Sequence, residues 1–371
     1  MRVLLLTTHL NTGGIGSYMV NLAGYLKKAG VDVAVASSGG ILESKLKDSG
    51  IPHATIDIKT KSEFGFKTFK VLPSLLNLVR DGDFDIVHAQ TRVAQVAGQL
   101  VKFKTGVPLV TTCHGFFKHR RLGRRIFPCW GDKVIAISES VSRHLVEDLG
   151  VDPGRVSLVY SGIDLGRYSA LRSGQDAGEL KKSVGISEGA FLVGSIGRLS
   201  PEKGYTYLIE AFKRALEKRP SMQLLIVGEG REKDLLARQA RESGVSGEVF
   251  FASGNDAPLE EYLSLMDVFC LVSLSEGLGL SLIEAMAAGR ACIASDVGGL
   301  AELVSREKDG VIVPPENAGA LSEAILRLAE NDALRKQLGD AAREKAMNNF
   351  SIERSGEKTV EVYRQVLKSK Q

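Results

Sequence analysis

Short runs of aliphatic residues alternate with longer amphipathic stretches along most of the chain. The short runs are bounded by glycine or polar positions, a pattern that predicts buried strands, and the longer stretches predict helices. Strands that alternate with helices indicate parallel, doubly wound sheets of the α/β class. The predicted strands are residues 2–7, 33–36, 53–58, 85–89, 108–113, 132–138, 190–196, 222–228, 266–272 and 291–295, with a further strand ending near 252.

The loops that follow these strands hold the candidate chemistry, because parallel sheets bind ligands at the carboxyl ends of their strands. Residues 11–16 form a glycine loop after the first strand. With Gly14 and Gly16 as the first two glycines of a dinucleotide motif, the third falls on Met19, and no acidic residue ends the second strand. An NAD site is therefore disfavoured. Backbone approach to a phosphate or sugar and a plain tight turn both stay open.

Two carboxylates lie eight positions apart in a second glycine loop and the helix after it. Glu276 precedes two glycines, and a helix is predicted to begin at Leu280, include Glu284 and end near Gly289. Eight helical residues would cover about 12 Å, the order of size of a nucleotide sugar. A strand, a glycine loop and a helix N-terminus together favour an anion. Two solvated glutamates are the simpler alternative.

Two cations lie five positions apart on another loop between a strand and a helix. Arg198 and Lys203 follow strand 190–196, and a helix is predicted from Tyr205 to about Lys218. Cations so placed can bracket a diphosphate. Solvated surface charges are the alternative interpretation.

A further candidate is His114, which follows strand 108–113 and precedes a glycine. For a histidine considered alone, a capping or core-edge role is favoured over ligand binding.

Charge is distributed unevenly along the 371 residues. Residues 1–164 contain 21 Lys and Arg against 14 Asp and Glu, whereas the remainder contains 27 against 30. The basic half suggests an anionic partner. Segments 59–70 and 116–127 combine basic and aromatic residues, which fits an anionic lipid surface, acceptor binding or plain solvation. Nucleic acid is disfavoured because no nucleic-acid-binding module is recognisable.

The remaining composition indicates a globular protein of two domains. No apolar run approaches the roughly 20 residues needed to span a bilayer, and the N-terminus lacks a signal-peptide pattern. The four cysteines show no metal-ligand spacing and are expected to be reduced thiols. A cytoplasmic location is expected, with peripheral contact with the inner face of the cell membrane left open.

These loops together resemble those of a known family. The pair Glu276 and Glu284 resembles the E-x7-E motif of the retaining GT-B glycosyltransferases of family 4, also called glycosyl transferases group 1. The Gly-Arg-Leu at 197–199 followed by Lys-Gly at 203–204 matches the family signature. Segment 156–164 resembles the family's interdomain linker, with Ser161 where asparagine is common. The resemblance extends over nearly the whole chain.

The resemblance implies a GT-B fold, in which two Rossmann-like domains face a central cleft. It implies an acceptor-binding domain at 1–164, a nucleotide-sugar-binding domain at 165–350, and a C-terminal helix at 351–371 that crosses back to the first domain. Residues 169–178 suit a hinge.

The resemblance also implies roles for individual residues. Arg198 and Lys203 would stabilise the leaving diphosphate, Glu276 would hold the transferred sugar, and His114 would face that sugar, forming the catalytic set. The implied donor-binding set is Gly13, Gly14, Ser253, Gly277, Leu278, Gly279, Leu280, Ser281, Leu282 and Glu284.

The expected activity is transfer of a hexose-type sugar from a nucleotide diphosphate sugar to a glycan or lipid-linked acceptor, in cell-surface polysaccharide or lipopolysaccharide synthesis. No cofactor and no metal are expected, and a UDP-sugar is favoured over a GDP-sugar. A sugar-nucleotide epimerase on the same fold and a non-catalytic nucleotide-sugar-binding protein are the alternatives.

Overall fold

The computed structural model describes residues 1–60, 63, 65–117, 127–169 and 177–369. The chain divides into two compact units. The first comprises Met1–Gly162 and Ile352–Gln371, and the second comprises Ile163–Ser351. Most of the predicted hinge and the central part of the basic segment 116–127 lie outside the described residues.

The first unit contains a seven-stranded parallel sheet with the order β3-β2-β1-β4-β5-β6-β7. Its central strands are completely or largely buried, so their aliphatic runs form the core between layers of helices, whereas the edge strands β3 and β7 are only partly buried. The strands are β1 (Arg2–Leu6), β2 (Asp32–Ser37), β3 (His53–Thr55), β4 (Ile86–Ala89), β5 (Leu109–Cys113), β6 (Lys133–Ala136) and β7 (Val156–Leu158).

Helices connect these strands, and the last helix of the chain belongs to the same unit. The α-helices are Gly14–Lys28, Glu43–Asp48, Phe66–Lys70, Leu72–Asp81, Arg92–Thr105, Glu139–Arg143 and Ile352–Lys368, with a π-turn at His144–Asp148 and a 3₁₀ turn at Pro153–Arg155.

The second unit repeats this architecture with a six-stranded parallel sheet in the order β10-β9-β8-β11-β12-β13. Its core is formed by the aliphatic residues of the strands and by the apolar faces of its helices. The strands are β8 (Phe191–Ile196), β9 (Met222–Val227), β10 (Val249–Ala252), β11 (Val268–Leu271), β12 (Ala291–Ser295) and β13 (Val311–Val313).

The helices of the second unit include the two that the sequence placed beside the candidate site, Tyr205–Lys218 and Leu280–Ala287. The others are Gly166–Ser169, Ala177–Val184, Lys233–Glu242, Leu259–Leu265, Leu300–Leu303, Ala318–Glu330 and Asp332–Asn349, with a 3₁₀ turn at Pro201–Lys203. None of the described helices is long and apolar enough to cross a membrane.

Two local expectations differ from the structure. The strand predicted at 53–58 ends at Thr55, because the N–H of Ile58 turns back to the carbonyl of Ile56 at 2.8 Å. The segment interpreted as an interdomain linker contributes its first residues to β7, at the edge of the first sheet.

Each sheet has one switch point, where the chain reverses the direction in which strands are added. In the first sheet it lies between β1 and β4, and in the second between β8 and β11. The loops that follow these strands diverge there and leave a crevice at their carboxyl ends, which is where open α/β sheets bind ligands.

Candidate active site

The candidate site of the second unit is built from the loops that follow β8 and β11. The two strands pair in parallel, with Val193 opposite Val268, so the loops emerge side by side. The N–H of Leu274 donates to the carbonyl of Glu202 at 2.8 Å and ties one loop to the other. The pairing of β8 with β11 therefore places the Arg198–Lys203 loop and the Glu276 loop at the switch point of the second sheet.

Lys203 and Glu276 form an ion pair within this site. Lys203 Nζ lies 2.5 Å from Glu276 Oε2, and the hydroxyl of Ser273 donates to the same oxygen at 3.1 Å. The side chains of the pair are 20% and 17% exposed, so both can be reached from solvent. The hydroxyl of Ser295 in turn donates to the carbonyl of Ser273 at 2.5 Å. The carboxylate of Glu276 is thus held by Lys203 on the neighbouring loop and by Ser273 on its own loop.

Arg198 is the other cation of the site. Its side chain is exposed, and its charge adds to the hydrogen bonds that lower the pKa of nearby Glu202, although no salt bridge joins Arg198 to any described residue. A guanidinium presents several N–H donors in a planar fork that suits phosphate oxygens. Arg198 can therefore bind an anion without first breaking a contact with a carboxylate.

The helix Leu280–Ala287 begins immediately after the Glu276 loop. Its N-cap, Gly279, has φ +98°, and no side chain among the described residues caps the N-terminus. The N–H groups of Leu282 and Ile283 donate to the carbonyl of Gly279, at 3.0 and 3.2 Å. The first N–H groups of a helix lack intrahelical acceptors, and the helix dipole adds positive potential there. This end of the helix favours an anion.

Gly204 allows the two loops to approach closely. It has φ +68°, and a Cβ atom at this position would lie 2.2 Å from the carbonyl oxygen of Val272. A side chain would therefore separate the Lys203 loop from the end of β11. Glycine here is required by sterics and by backbone conformation together.

Glu284 lies within the helix Leu280–Ala287, beside a second group of charges. Burial raises its pKa to about 7, an effect that nearby Arg167 opposes and Glu260 reinforces. Arg167 is itself bound by Glu260, through contacts of 3.2 Å and 2.6 Å. The buried hydroxyl of Tyr168 lies beside the carboxyl without a hydrogen bond of normal geometry. Glu284 thus retains hydrogen-bonding capacity for a ligand.

Ser253 follows β10, two strands away from the switch point. Its carbonyl accepts a hydrogen bond from the hydroxyl of Tyr262 at 3.1 Å, and its own hydroxyl accepts one from the N–H of Asn255 at 3.2 Å. The side chain is therefore engaged in shaping the turn.

In the first unit, the glycine loop lies at the carboxyl end of β1. A Cβ atom at Gly16 would lie 2.3 Å from the carbonyl oxygen of Asn11, so the tight turn explains this glycine. Gly13 is different, because it has φ +138° and no atom within 4 Å of a Cβ placed there. Gly14 begins the helix Gly14–Lys28. Gly16 is thus explained by the tight turn, whereas Gly13 has the open space that would let a ligand approach the backbone.

His114 follows β5 in the first unit and is half-buried. Its Nε2 lies 2.8 Å from the side-chain oxygen of Gln90, and its ring packs against the ring of Tyr18 in a T-shaped arrangement at 5.7 Å. Burial lowers the pKa of His114 to about 4, so the imidazole is neutral at pH 7.

Sequence reasoning missed several residues that adjoin the predicted ones. Gln90 comes directly after β4, and the rule that singled out His114 would also have found it. The pair Arg167 and Glu260 is separated by 93 positions and had no motif to mark it. Among the described residues, no group of three or more His, Cys, Asp and Glu is arranged to hold a metal ion.

Comparison with known proteins agrees with this architecture. The family model described as Glycosyltransferase Family 4 matches residues 12–167, and the one described as Glycosyl transferases group 1 matches residues 176–345. Together the two models match most of both units.

Individual relatives match nearly the full chain. A D-inositol 3-phosphate glycosyltransferase of Kribbella flavida is 26% identical, covering 95% of this chain and 91% of that protein. The UDP-Gal:alpha-D-GlcNAc-diphosphoundecaprenol alpha-1,3-galactosyltransferase of Escherichia coli is 28% identical, over 80% of this chain and 79% of its own.

Among solved structures, Anabaena Alr3699/HepE in complex with UDP and glucose has a TM-score of 0.85 at 22% identity, covering 100% of this chain and 99% of that one. WaaG, a glycosyltransferase of lipopolysaccharide biosynthesis, has a TM-score of 0.77 at 18% identity, covering 98% and 99%. The expected α/β fold class, a GT-B fold with two Rossmann-like domains, is confirmed. The chain therefore belongs to the family 4 glycosyltransferases of the GT-B fold.

Proposed function

We propose that the protein transfers a hexose-type sugar from a nucleoside diphosphate sugar to a glycan or lipid-linked acceptor, with retention of configuration and without a metal ion. The observation that carries this proposal is the convergence of Arg198, Lys203, Glu276 and the uncapped helix N-terminus at Leu280 on the switch point of the second sheet.

The pyrophosphate of the donor is proposed to lie against Arg198, Lys203 and the N–H groups at the start of the helix Leu280–Ala287. Negative charge grows on the departing diphosphate in the transition state, so positive groups fixed there lower the barrier. Lys203 contacts Glu276 in the free protein. A donor phosphate would share or replace that contact, whereas Arg198 is available from the start.

The two glutamates are proposed to bind the two ends of the donor. A carboxylate accepts two or more hydrogen bonds, which suits the paired hydroxyls of a sugar. Glu276 would hold the transferred sugar together with the backbone of Gly277 and Gly279, and Glu284 would hold the ribose. Arg167 beside Glu284 favours the ionised form that accepts these bonds.

The reaction follows from what the family resemblance implies. The bond between the anomeric carbon and the phosphate oxygen breaks, and a bond to the acceptor oxygen forms on the same face of the sugar. The acceptor's proton passes to the departing phosphate oxygen, so no protein base is assigned. The positive charge that stabilises the departing diphosphate would come from the side chains of Arg198 and Lys203. Transfer without a metal ion is proposed for this reason.

The proposed donor is a UDP-sugar in preference to a GDP-sugar, and the proposed acceptor belongs to cell-surface polysaccharide or lipopolysaccharide synthesis. The name of the Escherichia coli relative specifies UDP-Gal and a diphosphoundecaprenol-linked acceptor, which supports both choices. The first unit would bind the acceptor, and the excess of basic residues in 1–164 suits a phosphorylated one.

Incubation with a panel of UDP-, GDP- and ADP-sugars, with and without membrane extract, tests the proposal. A glycosyltransferase consumes one donor and labels an acceptor in the extract. Consumption or epimerisation of the donor without any acceptor would indicate an epimerase instead, and binding without turnover would indicate a non-catalytic binding protein.

A lipid-linked acceptor requires contact with a membrane, and the first unit offers a surface for it. On the helix Phe66–Lys70, Phe66 is 83% exposed and Phe69 is 48% exposed, and each is followed directly by a lysine, Lys67 or Lys70. Exposed aromatic residues insert into the interface, and each nearby Lys adds about 1 kcal/mol on anionic lipid.

We predict that exchanging both Phe66 and Phe69 for Ser lowers pelleting with anionic vesicles at least severalfold. Phe103→Ser is the matched control, because this phenylalanine is 65% exposed but lies on another helix, Arg92–Thr105. A separate variant carries Gln at Arg120, Arg121, Arg124 and Arg125. Pelleting that neither variant changes would refute the membrane contact.

A further inference from the structure

Behind His114 lies a buried polar network that the proposed reaction does not use. His88 and Gln90, at the carboxyl end of β4, are 0% and 1% exposed. β4 pairs with β5, with His88 opposite Val110, so His114 and Thr112 come from the neighbouring strand. The C-terminal helix Ile352–Lys368 supplies the last member, Tyr363.

Two hydroxyl groups hold the ring of His88 through hydrogen bonds that lie in the plane of the ring. Its Nδ1 lies 2.6 Å from the hydroxyl of Tyr363, and its Nε2 lies 2.7 Å from the hydroxyl of Thr112. Both ring nitrogens are thereby engaged along their in-plane directions. Burial, with a smaller contribution from His114, lowers the pKa of His88 to about 3, so this ring is neutral.

The side chain of Gln90 lies over the face of that ring. Its amide nitrogen is 3.1 Å from Nε2 and 3.4 Å from Nδ1 of His88. An atom on the in-plane axis of one ring nitrogen would be much farther from the other, so these similar distances place the amide above the ring. An aromatic face carries negative potential and attracts an N–H rather than a carbonyl oxygen. This contact orients the amide.

With the amide so oriented, its carbonyl oxygen faces His114 at 2.8 Å from Nε2. A carbonyl oxygen only accepts hydrogen bonds, so Nε2 of His114 must carry the proton. The neutral ring has no second proton, which leaves a lone pair on Nδ1. No described residue forms a hydrogen bond with Nδ1, and the T-shaped contact with Tyr18 limits rotation of the ring.

We infer that Gln90 is a positioning residue that fixes His114 in the Nε2–H tautomer, so that Nδ1 accepts a hydrogen bond from a hydroxyl of the bound sugar. The opposite tautomer or the imidazolium would present an N–H at Nδ1, and the sugar hydroxyl would have to accept from it. The tautomer rests on the contacts of the free protein, whereas the sugar hydroxyl as partner rests on the proposed function and on the position facing the sugar that the family resemblance implies for His114.

The test reads the tautomer directly in the free protein. Long-range ¹H–¹⁵N correlation spectra of protein labelled with ¹⁵N-histidine, at pH 7.5, distinguish Nε2–H, Nδ1–H and imidazolium rings. The chain contains six histidines, and His114→Gln identifies the signal of interest by its loss. We expect His114 entirely as Nε2–H. An Nδ1–H ring, an imidazolium or an averaged mixture would overturn the inference.

Two variants test the role of Gln90. Gln90→Leu removes the acceptor, so His114 should become a mixture of tautomers, whereas Gln90→Glu keeps an acceptor and should preserve the Nε2 proton. Gln95→Leu is the matched control, because Gln95 is equally buried but donates to the carbonyl of Thr112 at 3.1 Å. An unchanged tautomer in Gln90→Leu would refute the assignment. If Gln90→Leu does not fold, the spectrum of Gln90→Glu decides, and loss of the Nε2 proton of His114 in that spectrum would refute the assignment.

Kinetics then connect the tautomer to the ligand. With an active donor, Gln90→Leu should raise the donor KM about fivefold, the loss of roughly one hydrogen bond, with a smaller change in kcat. An unchanged KM beside a changed tautomer would exclude the sugar hydroxyl as the partner of Nδ1. If the parent transfers no sugar at all, the proposed function fails while the tautomer spectrum still stands.

Discussion

At the level of single residues, the two glutamates of the second unit differ in how their charge is stabilised. Glu276 is paired with Lys203 and receives a hydrogen bond from Ser273. Glu284 is half-buried beside Arg167, which is already engaged by Glu260, and its pKa is raised to about 7. Glu284 therefore changes its charge near neutral pH.

We predict that affinity for a nucleotide sugar increases as pH rises from about 6 to about 8. Below its pKa of about 7, Glu284 is protonated in the free protein, and a carboxyl group accepts weaker hydrogen bonds from ribose hydroxyls than a carboxylate does. The ionised fraction of Glu284 rises about tenfold between pH 6 and pH 8, which sets the upper limit of the change in affinity. Isothermal titration with an intact nucleotide sugar measures it, because the donor's pyrophosphate diester does not titrate there.

Glu284→Gln is the control for that pH dependence. Its affinity should be lower than that of the parent above pH 7.5 and nearly independent of pH. A parent whose affinity stays constant over this range would show that Glu284 does not bind the ribose.

Sequence reasoning located positions that follow from local pattern. Arg198, Lys203 and Glu276 stand on loops at strand ends, and the structure places those loops at the switch point of the sheet. It did not find the contacts of Gln90 and Arg167, whose partners are brought close only by strand pairing or by contacts across 93 positions. Loop positions can therefore be predicted from local pattern, whereas contacts between distant residues depend on the fold.

At the level of elements, the second site depends on how closely its loops pack. Gly204 brings the backbone after β8 against the end of β11, and Leu274 bonds to Glu202 across the junction. The distance between Lys203 and Glu276 is therefore set by backbone contacts in addition to their own charges.

Gly204→Ala should lower the free energy of unfolding by about 2–4 kcal/mol, since it combines a strained backbone with a clash. Gly189→Ala is the matched control. Gly189 has a similar φ of +76° but no atom within 4 Å of a new Cβ, so it should cost only about 1 kcal/mol. Urea unfolding measures both, and equal losses would contradict the importance of the loop contact.

Element types were predictable because most strands are continuous aliphatic runs, as expected for parallel strands buried on both faces. The helix Tyr205–Lys218 agrees with the prediction at both ends. The short edge strand β7 was not recognised, because its residues are only partly buried and carry no strong hydrophobic signal.

At the level of the whole molecule, the chain builds two parallel sheets and returns to the first with its last helix. The helix Ile352–Lys368 buries Tyr363 against His88 and Ser355 against the hydroxyl of Tyr18, at 2.6 and 3.2 Å. The last helix of the chain therefore supplies buried contacts that the first unit needs in order to fold completely.

Deletion of residues 352–371 should destabilise the first unit selectively. Hydrogen exchange should speed up in β4 and in the helix Gly14–Lys28, which lose their contacts with Tyr363 and Ser355, and stay near the parent rate in β8 and β9. Peptide-resolved exchange by mass spectrometry measures both sheets in one sample. Equal acceleration in the two sheets, or in neither, would contradict this division of the chain.

The central claim is that the pyrophosphate of a nucleotide sugar is held at the switch point of the second sheet, by Arg198 first of all. The most direct test is the turnover of Arg198→Ala with the donor identified in the sugar-nucleotide panel. Arg241→Ala is a suitable control, as an exposed arginine of the same unit in the last turn of the helix Lys233–Glu242. We predict that Arg198→Ala lowers kcat about 10²–10³-fold, as expected for the loss of one donor to the developing charge, and a kcat within threefold of the parent would contradict the account.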